Sequence, residues 1–373
     1  MAIEQGLRTV DMLLNMGPQH PSTHGVFRMV LEVDGERIVK AEPFIGYLHR
    51  GSEKLCEREN YRQIITLFDR LDYLSNFNNE LVFCLAAEKL MGIEAPERAQ
   101  FIRVIMCELN RISSHLMFYG AYGTDVGVFA TPFMYGFRER ENIQQIFEAV
   151  SGARMMHSYI RVGGVFRDVP EDFVPRLRQL LPNLKRALEE CDSLLTYNEI
   201  FVERTRGVGV LKAADAIDYG CSGPVLRATG IPMDVRVDEP YMVYKRFNFE
   251  IPLGKNGDCW DRYWVRFEEM RQSIAIIEQA LAMMQPGSIQ TPVAKFGFVK
   301  PPTGDAYARA ENPRGDFGVY LVSDGKDKPY RVKIRAPSFC NLMALTPMVE
   351  GAYLADAVAI LGSIDIVLGE VDR

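Results

Sequence analysis

The chain has 373 residues, is 47% hydrophobic and 25% charged, and carries a formal net charge of −6. That length and apolar content suffice for a large buried core, and the acidic balance without a long basic run argues against nucleic-acid binding. The first residues, Met1-Ala2-Ile3-Glu4-Gln5, lack the basic-then-apolar pattern of a secretory signal, and no run of about 18 apolar residues is present to span a membrane, so the sequence predicts a soluble or peripheral protein.

Apolar alternation over 10–16 and 26–33 predicts two strands, and the turn Asp34-Gly35-Glu36 leads into a third, giving a β unit over 8–45. Between the first two strands lies Gly17-Pro18-Gln19-His20-Pro21-Ser22-Thr23-His24-Gly25-Val26-Phe27-Arg28. This stretch holds two prolines, two glycines and two of the chain's five histidines, a composition that neither extends a strand nor starts a helix. It predicts a stiff loop with two imidazoles at its tip. Three readings of the loop stay open. Its histidines can bond to backbone, they can hold a metal through His-x-x-x-His spacing, or one can donate a proton to a substrate. The metal reading requires a helix to bring both rings to one face, and Pro21 and the flanking glycines oppose one.

Helical spacing then takes over. It predicts a short charged helix over 48–59, a helix over 68–91 ending at Gly92, one opened by Pro96 and running to about Tyr122, and one from Pro132 to about His157. A long helix follows over 173–203, with Pro175 and Pro182 marking its start or a kink. Residues 204–261 read as loops with short helices, and 264–285 as a clear helix ended by Pro286-Gly287. Strand alternation returns over 306–336 with Asp324-Gly325-Lys326 as a turn, and 354–368 reads as a last apolar helix. The expected fold is mainly α with small β elements (α+β). It is organised as one domain with an N-terminal β lobe (8–45), a helical core (46–300), and a C-terminal part (301–373) holding a β hairpin, the last helix and a buried C-terminus. The two β ends are able to meet in space.

Seven scattered cysteines (Cys56, Cys84, Cys107, Cys191, Cys221, Cys259, Cys340), no two separated by two residues, read as reduced buried thiols of a cytoplasmic protein rather than ligands of a cluster or zinc. The glycine-rich nucleotide fingerprints, the G-x-S-x-G elbow and H-E-x-x-H are all missing, which argues against a nucleotide-dependent enzyme or a common hydrolase. Polar residues interrupt apolar helices at Leu48-His49-Arg50-Gly51-Ser52-Glu53-Lys54, at Asp69-Arg70-Leu71-Asp72-Tyr73, and at Gly123-Thr124-Asp125-Val126-Gly127 after the helix holding Arg111 and His115. Each reads singly as a cap or ion pair. Together they would form a site if all three met the histidine loop.

Several motifs together carry a resemblance that runs from about Val10 to the last residue. They are the histidine loop, Gly46-Tyr47-Leu48-His49-Arg50-Gly51, Phe68-Asp69-Arg70-Leu71-Asp72-Tyr73, Ser151-Gly152-Ala153-Arg154, Lys333-Ile334-Arg335-Ala336-Pro337-Ser338-Phe339, and Asp365-Ile366-Val367-Leu368-Gly369-Glu370-Val371-Asp372-Arg373. The sequence resembles the D-type (49-kDa-type) subunit of proton-pumping NADH:quinone oxidoreductase, or respiratory complex I, which is the complex's quinone-site subunit. That family is similar in turn to the large subunit of nickel–iron hydrogenases, which implies a hydrogenase-like helical core. The positions matching the four hydrogenase cysteines read Asp72, Ser75, Val367 and Glu370. None supplies the soft thiolate that a nickel–iron centre needs, so hydrogenase activity is excluded on ligand chemistry.

The resemblance implies that His24 and Tyr73 flank a quinone headgroup, with Asp125 as the partner of His24 and Met117 lining the pocket. It places Arg50 and Arg70 near a tetranuclear iron–sulfur (4Fe-4S) cluster held by the B-type subunit, and no metal on this chain. The implied partners are the B-, C- and I-type subunits of the peripheral arm and the H-type subunit in the membrane. The implied location is the cytoplasmic face of the membrane, with NAD handled elsewhere in the complex and no activity for the chain alone. His20 matches a family position as well and reads as loop structure. One departure stands out: relatives carry a histidine directly after Ser-Gly-Ala-Arg-Met, where this chain has Met156, and the imidazole comes one residue later at His157. If that segment is helical, one residue rotates a side chain by about 100°. Two other classes remain as alternatives: a scaffold of hydrogenase-like fold without redox chemistry, and a hydrolase holding zinc through His20 and His24.

Overall fold

The computed structural model describes residues 12–23, 25–128, 131–292 and 299–373. The N-terminal lobe is an antiparallel meander of β1 (Met12–Met16), β2 (Arg28–Asp34) and β3 (Arg37–Phe44) in that order. On β2, Met29, Leu31 and Val33 alternate inward and are buried, as the period of two requires. Gly35 takes the β2–β3 turn at a φ of 62°.

The helical part opens with α1 (Ser52–Cys56), α2 (Tyr61–Phe68), α3 (Asn76–Met91), α4 (Glu97–Asp125) and α5 (Thr131–Ser151). The helix expected over 68–91 starts late, at Asn76, and a separate helix, α2, ends where it was expected to begin. α2 begins in a capping box in which the Asn60 side chain accepts from the Arg62 and Gln63 amides and the Gln63 side chain reaches back to the Asn60 amide. It ends at Phe68, and residues 69–75 form a compact turn. Two asparagines of α3 hold that turn: Asn79 Nδ2 donates to the carbonyls of Phe68 (3.1 Å) and Asp72 (2.9 Å), and Asn76 Nδ2 to that of Asp69 (2.6 Å). Side-chain donors thus take over the carbonyls that a continuing helix would have bonded.

α5 stops at Ser151, short of 157, because Gly152 at φ 88° and Met156 at φ 58° carry the chain into a loop. The two-residue strands β4 (Ile160–Arg161) and β5 (Gly164–Val165) pair after it. The long helix expected over 173–203 resolves into α6 (Phe173–Cys191), a π turn (Asp192–Thr196) and α7 (Glu199–Thr205), with Pro182 accommodated inside α6. Short helices α8 (Ala213–Asp218), α9 (Gly223–Arg227) and α10 (Val235–Asp238) lead to α11 (Cys259–Met283), which Asp258 caps.

Near the C-terminus, β6 (Gly304–Asn312), β7 (Gly315–Ser323) and β8 (Arg331–Arg335) form a second meander, adding a third strand to the expected hairpin. Four short helices follow: α12 (Pro337–Met343), α13 (Leu345–Val349), α14 (Leu354–Ile364) and α15 (Leu368–Asp372). The apolar run over 354–368 breaks at Asp365, whose φ is 60°. The fold is mainly α with small antiparallel sheets. Most of its buried apolar residues form one connected cluster from Met16 to Val371. No helix among the described residues is long and apolar enough to cross a membrane.

The two ends do meet, but the N-terminal lobe meets C-terminal helices rather than the second meander. Ile38 exchanges backbone bonds with Gly351 (2.7 Å) and Ala352 (2.9 Å). The Asp372 carboxylate accepts from the Gly46 (2.8 Å) and Leu48 (2.7 Å) amides, and His49 Nδ1 lies 2.7 Å from the Asp372 carbonyl.

Candidate functional site

The loop before β2 is organised by Thr23. Its buried hydroxyl donates to the carbonyls of Pro18 and His20, each at 3.0 Å, while its carbonyl accepts from Val26 and Phe27. Gly17 is required where it stands: its φ is 83° and a Cβ would lie 2.1 Å from the Phe27 carbonyl oxygen. These bonds hold the described part of the loop in a compact turn. His20 is exposed, and its Nδ1 accepts from the Ser22 amide at 3.3 Å, a role within the loop. His24 lies outside the described residues. The 3-10 turn Pro21–Thr23 packs against α14, and that helix leads to the rest of the site.

Asp125, the last residue of α4, packs on the same helix. A Cβ at Gly362 would come 3.3 Å from its Oδ2. Burial pushes the Asp125 carboxyl up to about 6. Three residues past Gly362, α14 ends at Asp365, where a buried charge cluster begins. Arg314, in the turn between β6 and β7, sits at its centre with its side chain fully buried. Its Nη1 donates to Asp72 Oδ2 (3.0 Å) and Ser114 Oγ (2.6 Å), its Nη2 to Asp365 Oδ1 (3.1 Å), and its Nε to the Asp365 carbonyl (3.1 Å). Asp72 Oδ1 accepts from the Leu74 amide at 3.1 Å. Nearby, Glu370 Oε1 accepts from the Ser338 amide (2.9 Å), and the Ser338 hydroxyl accepts from the Val367 amide (3.2 Å). Burial, reinforced by the Asp72 charge, pushes the Glu370 carboxyl up to about 8. Its Oε2 has no partner.

Tyr73 is half-buried at the edge of this cluster. Its ring lies against α15, where a Cβ at Gly369 would be 3.3 Å from Tyr73 Cδ1 and 2.4 Å from the Leu71 carbonyl oxygen. Burial and the charge of Asp72 raise its pKa, so the phenol stays protonated and able to donate. Of the positions that match hydrogenase cysteines, Asp72, Val367 and Glu370 gather around Arg314 and Ser338. Ser75 stands one turn on from Asp72, its amide bonded to the Asp72 carbonyl at 3.0 Å. Among the described residues no three His, Cys, Asp or Glu side chains are arranged to hold a metal ion.

Arg50 and Arg70 lie side by side on the exposed rim. Arg50 Nη2 donates to the Arg70 carbonyl (2.7 Å) and Arg70 Nη1 to the Thr66 carbonyl (2.6 Å). Both guanidinium groups bond to backbone carbonyls, and among the described residues neither is in an ion pair. Met117 is half-buried on α4, eight residues before Asp125, a rise of roughly 12 Å. His157 is not on a helix. It is stacked on Phe77 at a centroid distance of 4.2 Å.

The structure brings Asp69–Tyr73 and the end of α4 to α14 and α15. Leu48–Lys54 reaches the same segment, through Leu48 and His49 to Asp372 at the end of α15 and through Arg50 to the Arg70 carbonyl. Arg314 and Ser114 join this cluster without being singled out by the sequence, and Ser338 stands in a motif that carries the resemblance but implies no role for it. Arg314 falls inside the run over 306–336 expected as strand, and only the contacts of its guanidinium mark it out.

Fold and site together define a helical protein with a protonatable carboxyl–phenol centre built around a buried guanidinium. The chain matches the family described as the 49-kDa subunit of respiratory-chain NADH dehydrogenase over residues 125–300 and 292–373. It is 53% identical to the D-type subunit of NADH-quinone oxidoreductase from Desulforamulus reducens over 366 residues, covering 98% of this chain and 99% of that one. It is 51% identical to the corresponding protein of Dehalococcoides mccartyi, covering 98% and 100%, and 49% identical to that of Clostridium beijerinckii, covering 100% of both. The chain belongs to this 49-kDa subunit family of respiratory complex I. It is one component of an oxidoreductase complex, and the other components are its partners.

Proposed function

We propose that this chain, acting as one domain, forms much of a quinone headgroup site. There, electrons from a tetranuclear iron–sulfur cluster on a B-type partner reduce quinone to quinol, coupled to proton translocation. The observation that carries this reading is the placement of Tyr73. A half-buried phenol stands on Gly369 beside the Asp72–Arg314–Asp365–Glu370 cluster, and the same α14–α15 segment receives Asp125 and the turn next to His24.

Quinone takes up two electrons and two protons, and negative charge develops on its carbonyl oxygens. Tyr73 donates a hydrogen bond and a proton to one carbonyl, and His24 does so to the other. With a pKa of about 6, the Asp125 carboxyl is close to the ordinary value of an imidazole, so the two can share a proton at little cost. Met117 lines the apolar side of the pocket. On the rim, the exposed guanidinium groups of Arg50 and Arg70 fit a neighbouring cluster that takes up negative charge on reduction, since cations there stabilise the reduced form and raise its potential. The partner's cluster supplies electrons, and every proton-handling group named here is on this chain.

The setting is peripheral, at the cytoplasmic face, with B-, C- and I-type subunits in the same arm and an H-type subunit in the membrane. NAD is bound elsewhere in the complex, and the chain alone is inactive. In the assembled complex, His24→Ala and Tyr73→Phe should each lower quinone reduction roughly 100-fold while the cluster is still reduced by the upstream donor. Wild-type turnover in both variants refutes the assignment.

A further inference from the structure

We propose that Arg314 is a positioning residue for quinone reduction, acting through Asp72 on Tyr73. The inference rests on the reading of Tyr73 as a proton donor. Arg314 ties together three segments that are remote in sequence: the 69–75 turn through Asp72 (3.0 Å), α4 through Ser114 (2.6 Å), and the end of α14 through Asp365 (3.1 Å to both its side chain and its carbonyl). Its own backbone is fixed as well. Asn341 Nδ2 donates to the Arg314 carbonyl at 3.0 Å, and Gly315, at φ 132°, approaches Ser222 so closely that a Cβ would lie 2.5 Å from Oγ. A rigid turn therefore holds a planar five-donor group against the residue that precedes Tyr73.

Both oxygens of Asp72 are engaged, one with Arg314 and the other with the Leu74 amide. The Asp72 side chain thus pins the backbone on both sides of Tyr73, and the ring has the surface of Gly369 behind it. Position of the phenol follows from Arg314 in a single relay. The ionisable and charged groups that face Asp72 are Arg314, Asp365, Glu370 and Tyr73, with Arg266 behind Asp365 at 3.8 Å. Even beside Arg314, burial holds the Asp72 carboxyl above its ordinary value, and removing the guanidinium leaves a fully buried carboxyl next to two others, pushed up further. Lysine keeps the charge but cannot span three partners.

The test uses the assembled complex carrying Arg314→Gln, Arg314→Lys, Arg314→Gln with Asp72→Asn, Tyr73→Phe, and Tyr73→Phe with Arg314→Gln. Quinone-reduction kcat and KM are measured across roughly pH 6 to 9, with reduction of the partner's cluster as the control for assembly. Arg314→Gln should cost roughly 10- to 100-fold in kcat/KM when Tyr73 is present, but less than about twofold in the Tyr73→Phe background. It should also add a pH dependence that disappears in the double variant with Asp72→Asn, whereas Arg314→Lys keeps the original profile at a reduced rate. If Arg314→Gln does not assemble, Arg314→Lys carries the test, with a loss that depends on Tyr73. Equal penalties in the two backgrounds, or wild-type kinetics in an assembled Arg314→Gln complex, overturn the inference and leave the quinone reading intact. Wild-type activity of Tyr73→Phe removes the reading of Tyr73 as a proton donor, and this inference falls with it.

Discussion

His157 lies in an aromatic slot, stacked on Phe77 at 4.2 Å and edge-on to Phe147 at 5.1 Å. Its Nδ1 is 3.0 Å from the Ala153 carbonyl and 3.1 Å from Ser151 Oγ. Burial lowers its pKa to about 4, so the folded protein holds it neutral. The one-residue offset from relatives therefore is not a rotation about a helix axis. Met156 and Ser158 both adopt positive φ (58° and 48°), and the loop they shape turns the imidazole into the core. Because the unfolded chain binds this proton more readily than the folded one, stability is lost as pH falls from the ordinary value of 6.5 toward about 4. His157→Phe should remove that part of acid destabilisation, up to about 3 kcal/mol at the acid end, and should leave the pH dependence of the partner cluster's potential unchanged. Thermal melts at two pH values and a redox titration of the complex check both. Asp125 and Glu370 behave oppositely: burial raises them to about 6 and about 8, so both are able to exchange protons near neutrality.

At the scale of elements, the site depends on close approach between the 69–75 turn and α15. Gly369 permits it, since a Cβ there would stand 2.4 Å from the Leu71 carbonyl oxygen and 3.0 Å from that of Arg70. Gly369→Ala should force these segments apart, costing roughly 1–3 kcal/mol of stability and reducing quinone turnover as well. A lower melting temperature with earlier proteolysis of the C-terminus is the expected record, and an unchanged melting temperature with full turnover would contradict it. The turn is hidden in the sequence because Leu71 falls in step with helical spacing and is buried. A helix and a turn bury that side chain equally well. What separates them is the pair Asn76 and Asn79, whose amides bond backward to the turn's carbonyls, and periodicity does not register such bonds. The break at Asp365 is hidden for the same reason, since apolar residues continue on both sides of it. Proline is a weaker stop here than its chemistry suggests: Pro182 sits inside α6 without ending it.

Across the whole molecule, the site is assembled from the 69–75 turn, α4, the β6–β7 turn and the last two helices, with Asp72 and Arg314 separated by 242 positions. The meeting of the chain's two ends is legible from its patterning, although the contact runs from β3 to the segment before α14 rather than sheet to sheet. The resemblance points to Tyr73, Asp125, Arg50 and Arg70, and the structure places Asp125 against α14 and Tyr73 against α15. Arg314 is not legible in the sequence, because nothing local distinguishes a buried arginine in a hairpin turn from an exposed one. Where the positions matching hydrogenase cysteines converge, the structure shows a guanidinium with three carboxyls near it, and Tyr73 at the margin. The most direct test of this account is side-chain labelling of the assembled complex with and without saturating quinone. Tyr73 and His24 should both be protected, while Tyr330, 68% exposed in the β7–β8 turn, labels equally in both states. Unprotected labelling of Tyr73 and His24 at saturating quinone would contradict the account.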